Sequence, residues 1–309
     1  MHYNPWVYDY SQDYLTFVAL EDGTFQLNRN GVSYSLDDGL TWTNLSSNTA
    51  SPTITTGNKI MWKGELTPNS SAGVGTFSAT GNFDVQGNVM SLLYGDNFKE
   101  QTDLTGKDYA FYYLFQNNTK VVNAENLSLP AITLAQTCYS YMFQGCTGLI
   151  SAPELPATTM ATYCYSYMFN GCTNLVNAPE LPATTLARSC YSYMFYGCIN
   201  LINAPKLPAT TLANYCYSYM FLSCRSLVNA PELPATTLAQ NCYNYMFNGC
   251  TNLNYIKAMF TTTPSTTYTN NWVSGVASTG TFVKNSAAGW NVTGVNGIPN
   301  GWTVQTATT

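Results

Sequence analysis

CYSYMFQGCTGLISAPELPATTMATY, residues 138–163, returns at 164, 190, 216 and 242, each time 26 residues on. Four copies keep one frame without insertion, and the fifth keeps it through Leu253. A fixed period of this length is the signature of a solenoid, in which each coil contacts only its neighbours. In the copy at 164–189 the apolar positions are Cys164, Met168, Phe169, Cys172, Leu175, Ala178, Leu181 and Leu186. Cys164 and Met168 are four apart, as are Tyr165 and Phe169, a spacing that predicts a helical turn or two with one apolar face. Gly171 offers a stop where φ can be positive. Leu175, Ala178 and Leu181 follow with Pro179 and Pro182 among them, which fits a short strand and forbids a long central one. Each coil therefore reads as short helix, turn, short strand, turn, with parallel strands stacked at about 4.8 Å per coil.

Leu175, Leu181-Pro182, Phe195 and Cys198 stand where a leucine, a strand ending in proline, an aromatic-Phe pair and a cysteine three later stand in one known repeat. On these residues the motif resembles the BspA-like leucine-rich repeats, found on surface proteins of gut Bacteroidetes and on their phages. The resemblance covers residues 109–256. It departs from the family in its longer period and in a cysteine at 138, 164, 190, 216 and 242, where an aliphatic residue is usual. The flanks, 14–95 and 280–303, also look like segments that accompany such repeats. What the resemblance implies is surface exposure and binding, with no reaction attached.

The composition narrows the partners. Charged residues make up 9% of the chain, against an ordinary level of about 25%. Net charge is −5, and the only arginines are Arg29, Arg188 and Arg225. No basic stripe exists for a phosphate backbone, so nucleic acid is not an expected partner. Twenty-four tyrosines and many Thr, Asn and Ser supply the surface instead, the palette of adaptable contact surfaces and equally of a solenoid kept soluble by uncharged polar groups. The ten cysteines all lie in the repeats, two per coil, on apolar positions. Buried thiols in ladders are the expectation, since free Cys packs as a small hydrophobe; disulfides between coils are the alternative. Zinc is disfavoured, because no His is near and the C-x7-C spacing matches no zinc motif. No run reaches the ~18–20 apolar residues of a membrane span. MHYNPWVYDY, with its single His2, lacks the basic and apolar regions of a signal peptide.

Taken in order, residues 1–12 read as an irregular tail and 13–96 as a β-sandwich. Short alternating runs such as YLTFVAL, VSYSL and KIMWKG are separated there by turn pairs such as Asp22-Gly23 and Asn30-Gly31. Within it, Ser35-Leu36-Asp37-Asp38-Gly39-Leu40-Thr41-Trp42 resembles the Asp-box of sialidase propellers, whose physical content is a hairpin turn. Calcium at Asp37 or Asp38 is the less favoured reading of the same residues. Residues 97–108 form a charged connector, and 109–260 the solenoid, whose first coil is degenerate: Phe115 stands for Phe143, and Ala110 and Asn118 for the two cysteines. Residues 261–309 read as a small β cap shielding the last edge. The fold class is thus mixed β and α/β: an antiparallel β-sandwich, then a leucine-rich-repeat solenoid, then the cap.

Chemistry is sparse. A nucleophilic triad needs a base, and His2, the only histidine, stands alone at the terminus; no cofactor fingerprint or facing carboxylate pair is marked. The better clue is that a few repeat columns vary while the scaffold does not: Gln136, Thr162, Arg188, Asn214, Gln240; Thr137, Tyr163, Ser189, Tyr215, Asn241; Gln144, Asn170, Tyr196, Leu222, Asn248; and Thr147, Thr173, Ile199, Arg225, Thr251. They flank the expected helix and are expected to face solvent. Drift would look the same as recognition. The candidate ligand-binding residues are Tyr163, Arg188, Tyr196, Tyr215, Leu222 and Arg225. Tyr139 and its repeats either stack coil on coil or form an exposed strip for sugar rings, while the column of Tyr141 packs sideways. The expectation is a non-enzymatic recognition protein outside a cell or on a virion, needing no cofactor or metal, with a surface glycan or protein as ligand. A bacterial adhesin and a phage tail-fibre component are the two forms of it; a glycan-active enzyme and a structural spacer are the alternatives.

Overall fold

The computed structural model describes residues 9–307; His2 lies outside them. At the N-terminal end, β1 (Leu15–Ala19) sits at the centre of a sheet between β5 (Lys59–Gly64) and β7 (Phe83–Asn88), antiparallel to both, with Phe17 opposite Ile60 and Val85. β3 (Val32–Ser35) and β4 (Thr43–Leu45) extend it beyond β5. A separate pair, β2 (Phe25–Leu27) and β6 (Phe77–Ala79), closes over the core. The Phe17 ring lies 4.9–5.6 Å from the rings of Phe25, Trp62, Phe77 and Phe83, so aromatic packing joins the two sheets. Gly87 has φ +80, and a Cβ there would meet the carbonyl oxygen of Tyr14; only glycine lets the chain entering β1 lie against β7.

The solenoid begins on this sheet. β8 (Asn126–Ser128), from the first coil, pairs in parallel with β7. Phe115 is fully buried between Phe143 at 5.2 Å on one side and Phe17 and Phe77 at 5.8 and 6.0 Å on the other. Asn118, standing in a cysteine column, donates its amide to the Phe77 carbonyl at 3.1 Å. Sheet and coils share one hydrophobic core running from Leu15 to Trp302.

No helix forms where the four-residue spacing predicts one, among the described residues. Residues 161–172 instead make five consecutive turns: the N–H groups of Cys164, Ser166, Met168, Asn170 and Cys172 each donate three residues back, at 3.1–3.2 Å. The N–H groups between them, on Tyr163, Tyr165, Tyr167, Phe169 and Gly171, donate to the next coil, at 2.8–3.1 Å. Every fourth residue is left-handed, with φ +59 at Tyr163, +60 at Tyr167 and +74 at Gly171. The period is thus 4.0, too close to 3.6 to be told apart over eight residues. A helix would have spent every N–H internally and left nothing to bind coil to coil. A left-handed tyrosine costs about 1–2 kcal/mol, which the inter-coil bonds and ring stacking offset.

The opposite side of each coil carries the expected parallel pairing only as isolated bridges, such as Asn177 with Asn203 and Thr159 with Thr185. Pro179 and Pro182 have no N–H to donate, so the ladder is interrupted. Where the prolines stop, strands appear. NYIKAMF gives β9 (Tyr255–Ala258), followed in parallel register by β10 (Thr281–Lys284) and β11 (Thr303–Thr306).

All ten cysteines are free and buried. In one row, each Sγ–H donates to a phenylalanine carbonyl of the preceding coil at 3.0–3.1 Å, Cys198 to Phe169 for example. Burial pushes the thiols up, to about 12 for Cys164, Cys242 and Cys250. Alkylation at neutral pH followed by mass spectrometry is therefore expected to modify none of them in the native protein and all ten after denaturation. Bridged cysteines in the denatured sample would contradict this.

Candidate functional site

The turn run of each coil places its side chains by a rule of pairs. Two neighbours point in, as Tyr165 and Met168 with Cys164 and Phe169 do, and the left-handed corner between them points out. Tyr139, Tyr165, Tyr191, Tyr217 and Tyr243 therefore stack inside the core at 5.6–6.1 Å and are at most 1% exposed. The exposed strip expected as one reading of that column does not exist. The outward column is Tyr141, Tyr167, Tyr193, Tyr219 and Tyr245, half-buried and stacked at 4.3–4.8 Å with ring planes 6–8° apart. Desolvation raises the pKa values of Tyr141, Tyr167 and Tyr193. At the C-terminal end Asn271 donates to the Tyr245 hydroxyl at 3.1 Å. The faces of these rings are spent on each other, so the ladder offers edges and hydroxyls to a ligand, not a stacking platform.

The candidate residues form two groups, one on each margin of this ladder. On one margin, Tyr163 (40% exposed), Arg188 and Tyr215 come from three successive coils. The Arg188 guanidinium lies 5.7 Å from the centre of the Tyr215 ring, and the Tyr163 N–H donates to the Arg188 carbonyl at 3.1 Å. On the other margin, Tyr196 (37% exposed) sits edge-on to Tyr193 at 6.3 Å, with Leu222 in the next coil half-buried and Arg225 exposed. The expectation that these columns all face solvent does not hold: Thr137 and Ser189, in the column of Tyr163 and Tyr215, are buried. A small side chain on the corner is covered by its neighbours, whereas a tyrosine reaches out.

The column of Tyr196 has a second role that the sequence does not announce. Gln116 donates to Gln144 at 2.6 Å, Gln144 to Asn170 at 3.1 Å, and Asn170 to the Tyr196 carbonyl at 3.2 Å. This amide ladder ends where Tyr196 and Leu222 replace the amides. Ile199, 39% exposed, stands beside them; its departure from threonine in its column is the signal that marks it. Runs 136–147, 162–173, 188–199, 214–225 and 240–251 contain no Asp or Glu, and Arg188 and Arg225 are their only charges.

The turn at Ser35–Trp42 is closed by its own atoms. Asp37 accepts from Thr41 N–H at 2.9 Å, Thr41 Oγ1 at 2.6 Å and Ser35 Oγ at 2.7 Å, while Trp42 Nε1 donates to the Gly39 carbonyl at 3.0 Å. Asp38 pairs with Lys59 at 2.6 Å. Both carboxylates are thus engaged, and no group of His, Cys, Asp or Glu among the described residues is placed to hold a metal. The hydrogen bonds, that of the Thr41 hydroxyl foremost, lower the Asp37 carboxyl to about 2. A depressed folded-state value means the turn's contribution is complete above the unfolded value of about 3.9 and is lost as pH falls through 2. A carboxyl-carbon NMR titration is expected to place Asp37 near 2; a midpoint near 4 would show the turn open.

Two matches to one family model, BspA type leucine rich repeat region in six copies, cover residues 107–228 and 136–271, together more than half of the chain. The chain belongs to the BspA-type leucine-rich repeat family. Nothing matches among curated proteins, and no solved structure matches. Leucine-rich repeats of this type are typically surface exposed and act as interaction scaffolds without enzymatic activity. In this BspA-type chain the five clear copies and the degenerate first coil make up the repeating part, and the Tyr and Arg residues above are its departures from repetition. No helix among the described residues is long and apolar enough to cross a membrane.

Proposed function

We propose that the protein is a non-enzymatic recognition component displayed on a bacterial cell surface or a virion, holding a surface glycan or protein on the turn side of its solenoid. In this reading an N-terminal β-sandwich is the base and the coils are the display surface. The observation that carries it is the concentration of Tyr163, Arg188, Tyr215, Tyr196 and Arg225 on coils that are otherwise near-identical. Arg and Tyr are the residue types enriched at binding hot spots, and a surface without acids gives both arginines no internal partner. The test is a glycan and cell-surface binding screen of the intact chain. The core shared by sheet and coils makes separate halves unsuitable as probes. Saturable binding supports the proposal. Turnover of a glycan would replace it with an enzyme, and failure to bind any surface would leave a spacer.

A further inference from the structure

The solenoid's other side carries a second feature, independent of the turn face. Where the segments 152–156 and 178–182 lie side by side, a groove of about 410 Å³ opens between Pro153, Pro156, Pro179 and Pro182, with Glu154 and Glu180 on its rim. Both glutamates are exposed, and neither makes an ion pair or a hydrogen bond among the described residues. They occupy one column in neighbouring coils, about 4.8 Å apart by the stacking repeat, where like charges side by side are unfavourable. Elsewhere in the column that repulsion is relieved. Lys206 follows Glu180, and Glu232 takes the ammonium of Lys257, from β9 in the next coil, at 2.9 Å. A second groove of the same make, about 360 Å³ between Pro205, Pro208, Pro231 and Pro234, has Lys206 and Glu232 on its rim. Its charges are balanced; those of the first groove are not.

From this we infer that the groove between 152–156 and 178–182 docks a lysine or arginine on an extended segment of a partner protein. The alkyl stem lies along the proline rings while the head remains at the wet rim between the two carboxylates, the division of labour that long cationic side chains adopt on apolar surfaces. The Lys257–Glu232 pair is the internal precedent: a lysine on a strand, reaching a glutamate of this column from one coil away. Two unpaired carboxylates and proline walls make the site selective for a cation on an aliphatic stem over either feature alone.

The test is amide chemical-shift mapping on the whole chain at low salt, where exposed charges are little screened. The probes are a capped pentapeptide with central lysine, the same peptide with norleucine, and spermidine. Saturable shifts at 152–156 and 178–182 with the lysine peptide, absent at 204–208 and 230–234, are expected. Glu154→Gln with Glu180→Gln should weaken binding about tenfold or more, as expected for loss of charge-assisted hydrogen bonds. Lys206→Glu with Lys257→Met, which leaves two unpaired carboxylates at the second groove, should create binding there. Equal shifts at both grooves in the parent, equal binding of the norleucine peptide, or indifference to the double substitution would overturn the inference. Binding of spermidine without the lysine peptide would overturn the protein partner and leave a free polyamine.

Discussion

Phe195→Ala is expected to lower the chain's resistance to denaturant by about 3–5 kcal/mol, the usual cost of emptying a phenylalanine site in a core. Tyr196→Ala, one residue on, should stay within about ±0.5 kcal/mol. Phe195 is fully buried, with Phe169 at 5.7 Å and Phe221 at 5.6 Å on its two faces. Removing its ring therefore opens a gap in a continuous aromatic row that neither neighbour can close without leaving its own stack. Tyr196 touches the ladder only edge-on at Tyr193 and is 37% exposed; the backbone carbonyl that receives Asn170 survives its truncation. Because one core spans sheet and coils, the loss should appear as a shift of the main transition in circular dichroism. Equal shifts for the two variants would mean that inward and outward columns have been exchanged.

The contrast between these two residues shows what the sequence carries. Columns of Cys, Met, Phe and Leu repeat without change because they have one solution, the core, and so the inward side was legible. The backbone between them was not. Cys164, Tyr165, Met168, Phe169 and Cys172 fit a helix face and a four-residue run of turns equally well, and nothing in Tyr163 or Tyr167 signals a left-handed φ. Gly171 does, but a glycine there is also how a helix stops. The two tyrosine columns differ by two residues, and only the turn geometry decides that Tyr165 goes in and Tyr167 out. The strands were legible in kind and not in extent. Pro179 and Pro182 reduce them to single bridges; neither has a counterpart in 254–260, and the first coil keeps only Pro130, past the end of β8, so β9 and β8 form. For the candidate site, variation picked out Tyr163, Arg188 and Tyr215, which the structure brings to one margin. It could not show that Thr137 and Ser189 of the same column are covered, nor that Tyr196 ends an amide ladder.

The second large effect concerns binding. Tyr163→Ala, Arg188→Ala, Tyr215→Ala and Arg225→Ala together are expected to reduce binding of the ligand found in the surface screen by at least about a hundredfold, since two hot-spot residues at about 2 kcal/mol each suffice for that. The fold should survive. Tyr163 and Tyr215 occupy left-handed corners, but alanine keeps the Cβ and hence adds no backbone strain that tyrosine did not already bear. Arg188 contributes a ring contact to Tyr215 and no ion pair among the described residues, and Arg225 projects from an acid-free run. Circular dichroism and the denaturation midpoint establish that the variant is native, and surface plasmon resonance measures its affinity. Full retention of binding by a native quadruple variant would show that variation in these columns is drift. The ligand would then have to engage either a surface that repeats, such as the hydroxyl edge of the Tyr141 ladder, or the N-terminal sheet. Tyr167→Phe with Tyr193→Phe, which removes hydroxyls and keeps the stacked rings, would separate that case from a site on the N-terminal sheet.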